Sequence, residues 1–285
     1  MSGARPSPGQ LAQVACLLEV TARKPGNVHR GADFAGTHYL DVLLSATAIG
    51  PALDGARTRG VGRAVLDAVE ATRRVVATNT NLGMVLLLAP LAAVPEDVAL
   101  PLGVGAVLAA LTLDDARLAY RAIRLAEPGG LGAVADQDVA AEPSVTLRDA
   151  MRLAADRDLV ARQYADGFAE VFGIALPALR STLAVGQPLE TAIIAAHLTL
   201  LARCPDTLIL RKRGPAVAAE ASRRAAEVLA AGWPDAPPDL LGAFDAWLRA
   251  DGHAHNPGAT ADLVAAAVFA ALRDGTIGLP INRWQ

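Results

Sequence analysis

Aromatic residues are scarce: three Trp, three Tyr and five Phe amount to 4% of 285 residues, although 53% of the chain is hydrophobic. A core of that kind must be built from Ala, Leu and Val. This favours helices, because strands draw on aromatic and β-branched side chains. No segment sustains the period-2 alternation of a half-buried strand, so the expected fold is all-α, with about ten helices. Cysteine is almost absent as well. Cys16 and Cys204 both sit in apolar, helix-like surroundings, a reduced intracellular pattern rather than a disulfide framework. No excess of basic residues exists either; the net charge is −3, which argues against a nucleic-acid binder.

Long hydrophobic runs are missing too. Mean hydropathy is positive, at +0.32, but the most apolar run, Met84 to Ala89, meets Pro90 well short of the roughly 20 residues a membrane span needs. The segment from Met1 to Gln10 is rich in Pro, Gly and Ser without an apolar stretch, and is expected to be a flexible terminus rather than a signal peptide. The expectation is a soluble, cytoplasmic protein with one domain over residues 11–285, no linker being long enough to separate two.

Several chemical signatures are also lacking. There is no phosphate-cradling Gly-x4-Gly-Lys-Ser/Thr loop and no Gly-x-Ser-x-Gly elbow. Gly103-Val104-Gly105 begins like a dinucleotide fingerprint, but no strand precedes it. Ser45 and Ser144 have no evident base beside them. His197 lies inside an apolar helix, as a satisfied core residue would. His253 and His255, beside Asp251, have the spacing of a metal pair and equally that of a solvated loop before a helix.

What is present is a repeated local design. An apolar helical segment (Leu11, Val14, Ala15, Leu18) runs into Glu19-Val20-Thr21-Ala22-Arg23-Lys24-Pro25-Gly26-Asn27-Val28-His29-Arg30 and stops. Pro25 disfavours helical dihedrals at Lys24, and Gly26 tolerates a positive φ. The turn carries Arg23, Lys24, Asn27, His29 and Arg30, a composition suited to an anion and equally to a solvated helix stop. Tight polar clusters recur at Thr78 to Gly83, Pro128 to Asp138, Pro205 to Gly214 and Asn256 to Asp262. Each alone reads as helix capping. Five in a chain only 19% charged suggest helix ends converging on one polar pocket, where aligned N-termini favour phosphate. From Leu147 a long helix is expected to about Phe172, with Asp156, Arg157, Asp158 and Arg162 in its middle and Asp158 and Arg162 as an i, i+4 pair.

At these clusters the chain resembles the ATP:dephospho-coenzyme A triphosphoribosyltransferases, also called triphosphoribosyl-dephospho-CoA synthases. The matching segments are Lys24-Pro25-Gly26-Asn27-Val28, Asn79-Thr80-x-x-Gly83, Asp206-Thr207-Leu208-x-x-Arg211-x-x-Gly214 and Pro257-Gly258-x-x-Ala261-Asp262-Leu263. Two departures stand out. Asn81-Leu82 occupies the place of a His-Lys pair in the family pattern, and Met151 to Asp158 stands where a Thr-Ala-Arg-Gly-Glu-like segment is expected. The resemblance implies transfer of the 5-triphosphoribosyl group of ATP to a dephospho-CoA hydroxyl with release of adenine, in the biosynthesis of a prosthetic group of citrate lyase and malonate decarboxylase. Related readings keep the pocket but change the acceptor or hydrolyse the glycosidic bond, or make the chain a non-catalytic nucleotide binder.

That chemistry needs a base for the acceptor proton and cations for the triphosphate. Asp206, Asp262, Glu19 and Asp158 are the catalytic candidates. Lys24, Asn27, Arg30, Asn79, Asn81, Arg211, Lys212 and Asn256 are expected to bind nucleotide or phosphate. Mg²⁺ is inferred from the triphosphate charge, with Asp156, Asp158 and Asp262 as its candidate ligands. The expected partners are small molecules, ATP and dephospho-CoA or an analogue, with no nucleic acid and no membrane; a homodimer is compatible with the sequence.

Overall fold

A computed structural model describes residues 5–129, 136–235 and 238–284. Part of the expected polar cluster at Pro128 to Asp138, residues 130–135, lies outside the described residues, as does the side chain of His253. The described residues are helical, without a strand; the only pairings beyond helices are isolated bridges between His29 and Ala32 and between Phe34 and Thr37. The ten or so expected helices correspond to the longer elements. The surplus comes from short ones such as α3 (Gly50–Asp54) and α4 (Ala56–Arg59).

Two apolar helices form the centre. α16 (Gly258–Arg273) is buried on every side from Leu263 to Leu272, and α6 (Leu82–Ala93) is buried from Met84 to Ala93. A helix apolar all round has no solvent face and must be enclosed. The enclosing elements include α1 (Pro8–Thr21), which begins inside the segment expected to be flexible, together with α5 (Val61–Arg73), α10 (Leu159–Asp166), α11 (Leu176–Ala184) and α12 (Leu189–Arg203). α8 (Leu113–Ala126) packs on α5 through a close backbone approach. A Cβ on Gly62 would lie 2.5 Å from Cα of Asp115, and the Asp115 carboxylate accepts from the Gly62 N–H at 2.8 Å. A second apolar cluster joins α12 to α14 (Pro215–Ala230) and α15 (Pro238–His253). No single helix among the described residues is long and apolar enough to cross a membrane.

Pro90 does not end α6, which continues to Ala93. Proline lacks the N–H that would reach the carbonyl four residues back, leaving Leu86 O unpaired in the core. The Tyr164 hydroxyl of α10 donates to that carbonyl at 2.5 Å, and Tyr164 is fully buried. One of the few aromatic residues thus repairs the break that Pro90 makes.

The expected long helix from Leu147 is broken. α9 (Leu147–Ala154) ends, residues 155–157 turn, and Asp158 takes extended dihedrals to cap α10. Asp158 and Arg162 are therefore not a helical ion pair; Arg162 reaches Glu170 instead, at 3.6 Å. The cap prevailed because an aspartate oxygen satisfies two otherwise orphaned N–H groups, of Val160 at 2.8 Å and Ala161 at 3.0 Å.

The turn after α1 is fastened on three sides. Lys24 is fully buried, with its Nζ 3.0 Å from the Glu19 carboxylate and hydrogen-bonded to the carbonyls of Glu19 and Ala22. Burial draws the Lys24 ammonium below its usual range and pushes the Glu19 carboxyl above its own, while each charge opposes the other's shift. Glu190 at the start of α12 accepts from Arg23 at 3.1 Å and from Arg30 at 2.9 Å. Arg30 also lies 5.8 Å from the Trp284 ring of the C-terminal tail. From α15, Asp245 accepts from the Gly26 N–H at 2.7 Å, and Arg249 donates to the Asn27 carbonyl at 2.7 Å. Gly26 has φ +75°, and a Cβ there would lie 2.7 Å from that of Leu248.

Two outcomes are expected in chemical denaturation. Tyr164→Phe keeps the packing but leaves the Leu86 carbonyl unpaired, costing about 1–3 kcal/mol; a Tyr164→Phe protein as stable as the parent would show that the hydroxyl does not repair the proline break. Lys24→Ala strands a buried carboxylate and should cost about 3–5 kcal/mol, whereas the neutral pair Glu19→Gln with Lys24→Met should recover most of that loss.

Candidate active site

The polar helix ends meet around a cavity of about 970 Å³. It is bounded by the C-terminal part of α1 and the turn after it, the N-terminus of α6, α9 and α10, α13 (Thr207–Arg213) and the N-terminus of α16. Local capping rules set each contribution. Asn79 Oδ1 accepts from the Leu82 N–H at 3.2 Å and so starts α6, whose first residues Leu82, Gly83 and Met84 line the cavity. Asp206 caps α13 by accepting from Leu208 N at 2.8 Å and Ile209 N at 3.1 Å. Its other oxygen accepts from the Thr260 N–H at 2.7 Å and hydroxyl at 2.8 Å. One carboxylate thereby joins the first turns of α13 and α16.

Nine of the residues expected to be functional line the cavity: Glu19, Asn27, Asn79, Asn81, Asp158, Arg211, Lys212, Asn256 and Asp262. Four do not, and each has a physical reason. Lys24, expected to face phosphate, is enclosed by Glu19 and two carbonyls. Arg30, given the same role, is drawn to Glu190. Asp206, expected to be catalytic, is fully buried with both oxygens occupied by four hydrogen bonds. Asp156, expected to hold metal, is exposed in the turn between α9 and α10 and outside the cavity wall. Asn81 lines the cavity, but its amide group is engaged with the Thr72 hydroxyl at 3.2 Å, so it shapes the wall.

Asp262 is the carboxylate left over. It accepts no hydrogen bond from a described residue. Its pKa is raised well above the ordinary Asp value, first by burial and then by the charges of Glu19, Asp206 and Asp158, with Arg211 opposing. A Cβ on Gly83 would lie 2.0 Å from Asp262 Oδ2. Only glycine lets the start of α6 come this close to the acid, which accounts for the glycine that ends the Asn79-Thr80-x-x-Gly83 segment. Arg211 pairs with Asp158 at 2.5 Å, and its Nε is buried without a partner. Lys212 is exposed with no hydrogen-bond or ion-pair partner among the described residues.

Sequence reasoning missed other parts of the wall. Phe34, Ala35 and Thr37 come from the loop of two β-bridges, and Tyr120 and Arg124 from α8. Arg124 donates to the Val139 carbonyl at 2.8 Å and Tyr120 to that of Gln137 at 2.7 Å, placing Asp136 to Ala140 at the rim. No local pattern marks Phe34, Ala35, Thr37, Tyr120 or Arg124, because tertiary packing alone brings them there; Pro128, Gly129 and Asp136 to Asp138 belong to a polar cluster that the sequence does mark.

The acids expected to hold Mg²⁺ are not gathered into a ligand set. Asp156 is outside, Asp158 is occupied by two N–H groups and Arg211, and no group of three or more His, Cys, Asp or Glu side chains among the described residues is placed to bind a metal. His255 belongs to the packing of α15: its ring lies 4.6 Å from that of Trp247, and its Nδ1 is 3.1 Å from the Trp247 carbonyl.

Residues 5–280 match the family model described as ATP:dephospho-CoA triphosphoribosyl transferase. Among solved structures the chain is similar to the crystal structure of a candidate triphosphoribosyl-dephospho-CoA synthase from Archaeoglobus fulgidus, with a TM-score of 0.64 and 26% sequence identity over 82% of this chain and 99% of that one. Comparison with curated proteins returns no match. The family match runs from before α1 to beyond α16 and takes in every wall of the cavity, and the chain belongs to the ATP:dephospho-CoA triphosphoribosyl transferase family.

Proposed function

We propose that this transferase moves the 5-triphosphoribosyl group of ATP onto a hydroxyl of 3'-dephospho-CoA and releases adenine. The observation that carries the reading is the meeting, in one cavity, of a partnerless carboxylate, Asp262, with the cations of α13, where Arg211 has an unpartnered buried N–H and Lys212 has no ion pair. Arg211 and Lys212 take the triphosphate, and the open N-terminus of α6 adds its positive dipole end. Asn27 and Asn256, joined at 2.7 Å, border the nucleoside.

In the reaction the bond from the ribose anomeric carbon to the adenine nitrogen breaks as a bond to the acceptor oxygen forms. The bonding pair leaves with adenine, which takes up a proton from water. Asp262 accepts the proton of the acceptor hydroxyl. A carboxylate whose pKa is raised is a better base at neutral pH than an ordinary one. The developing oxocarbenium charge is stabilised by the negative field of Glu19 and Asp262.

The acceptor has a second reading, acting on a different cofactor precursor. It is favoured by the wall at Asn81-Leu82, where the family pattern has a His-Lys pair. Here the amide is held by Thr72 and Leu82 is a buried apolar residue, so this position offers the acceptor no cation.

Incubation with ATP, Mg²⁺ and 3'-dephospho-CoA, followed by chromatography, should give adenine and a heavier CoA product in equal amounts. Adenine formed only with another acceptor would select the second reading, and no turnover with any acceptor would overturn both. Asp262→Asn should lower kcat by about 100-fold or more while ATP binding persists. The native kcat/KM should decline on acidification with a midpoint above the ordinary Asp range, because the base must be unprotonated and its pKa is raised. Reversing charge with Arg211→Glu should weaken ATP binding more than adenosine binding.

A further inference from the structure

The cavity has one wall unlike the rest. Val20 at the end of α1, Val28 in the following turn and Val42 of α2 (Tyr39–Ala48) form a small apolar cluster of their own, with Phe34 packed against it. All four side chains line the cavity. The guanidinium of Arg249 lies 5.9 Å from the Phe34 ring. A flat aromatic face backed by branched aliphatic groups is what a planar heterocycle packs against, whereas a triphosphate is drawn to the separate cationic wall on α13.

Beside Val28 stands Asn27, 6% exposed, with an unpartnered Oδ1. The orientation of its amide is determined by its neighbours. Asn27 Nδ2 donates to Asn256 Oδ1 at 2.7 Å and to the Pro257 carbonyl at 3.5 Å. A backbone carbonyl can only accept, so the nitrogen faces Pro257 and the oxygen is the group left without a partner. A buried acceptor without a donor costs free energy in the empty protein and is relieved by a ligand that brings one. Phosphate oxygens bring none. This narrows the expected job of Asn27, from binding nucleotide or phosphate to reading a donor on the base.

We infer that the Phe34, Val20, Val28 and Val42 wall receives the adenine base of ATP and that Asn27 Oδ1 accepts a hydrogen bond from its exocyclic amine, making Asn27 a specificity-determining residue. The inference rests on the proposed use of ATP. It deepens that reading by naming how adenine is told from other purines: inosine and guanine present a carbonyl oxygen at this position, which would meet the Asn27 oxygen as a second acceptor.

Titration calorimetry of the native protein tests this apart from turnover, using ATP, inosine triphosphate, 2'-deoxy-ATP, 3'-deoxy-ATP and tripolyphosphate. ATP should bind about tenfold or more tightly than inosine triphosphate, with both deoxy analogues close to ATP. Equal binding of ATP and inosine triphosphate would overturn the inference, and so would a loss confined to a deoxy analogue, which would assign Asn27 to the ribose. Asn27→Ala should remove the preference for ATP, and Asn27→Asp, which keeps an oxygen acceptor, should retain it. Phe34→Ala, on an exposed loop, should weaken ATP at least several-fold and leave tripolyphosphate unchanged; equal weakening of both would also overturn the assignment. Selective ATP binding without adenine release would leave the inference standing and overturn the proposed reaction. Adenine release without base selectivity would do the reverse.

Discussion

The buried Lys24–Glu19 pair is the constraint on which the site depends. An ammonium fully removed from water is tolerable only with a carboxylate and carbonyls around it, and α1 supplies both from its last turn. Once Lys24 is drawn inward, the chain from Arg23 to Arg30 must lie across the ends of α12 and α15. Glu190, Asp245 and Arg249 then fasten it there. The same pull leaves Glu19 and Asn27 on the cavity side of the turn. A loop rich in cations therefore presents to the cavity a carboxylate and an amide, and its positive charge is answered within the protein.

Arg124, Arg157, Arg211 and Lys212 bring cations to the cavity wall, and capping aspartates place the two that come from α13. Asp206 joins α13 to the first turn of α16, and Asp158 both starts α10 and orients Arg211. These acids act on the site through geometry and field. Asp262 caps nothing and accepts no hydrogen bond from a described residue, so its oxygens are not committed to holding the fold. The contrast follows from backbone demand: an acid at a helix start is claimed by orphaned N–H groups, whereas Asp262 lies inside α16, past the start of that helix. Gly83 completes the arrangement by letting α6 approach an acid that any side chain would displace.

Much of this was legible in the chain. Ala- and Leu-rich composition with few aromatics pointed to helices, and the clustering of Asn, Asp, Gly and Pro at helix boundaries pointed to a shared pocket; nine of the residues singled out line it. Lys24, Arg30, Asp156 and Asp206 stand apart from the cavity wall for a common reason: charge does not say which neighbour claims a side chain. The long helix from Leu147 failed because periodicity continues across Asp158 even though its side chain caps a new helix there. Phe34, Tyr120 and Arg124 carry no local mark, since they reach the cavity through packing between elements far apart in sequence.

The sequence by itself determined the helical class, the positions of the polar helix ends and the family, because these rest on local propensity, capping chemistry and ordered motifs. Only the tertiary structure decided which charges face the cavity and which are consumed in holding it. A buried ion pair, a doubly used cap and a glycine contact each depend on a partner from another part of the chain. The turn around Lys24 shows both halves: its residues mark where the chain bends, and the elements packed against it determine that Asn27, rather than Lys24, lines the cavity.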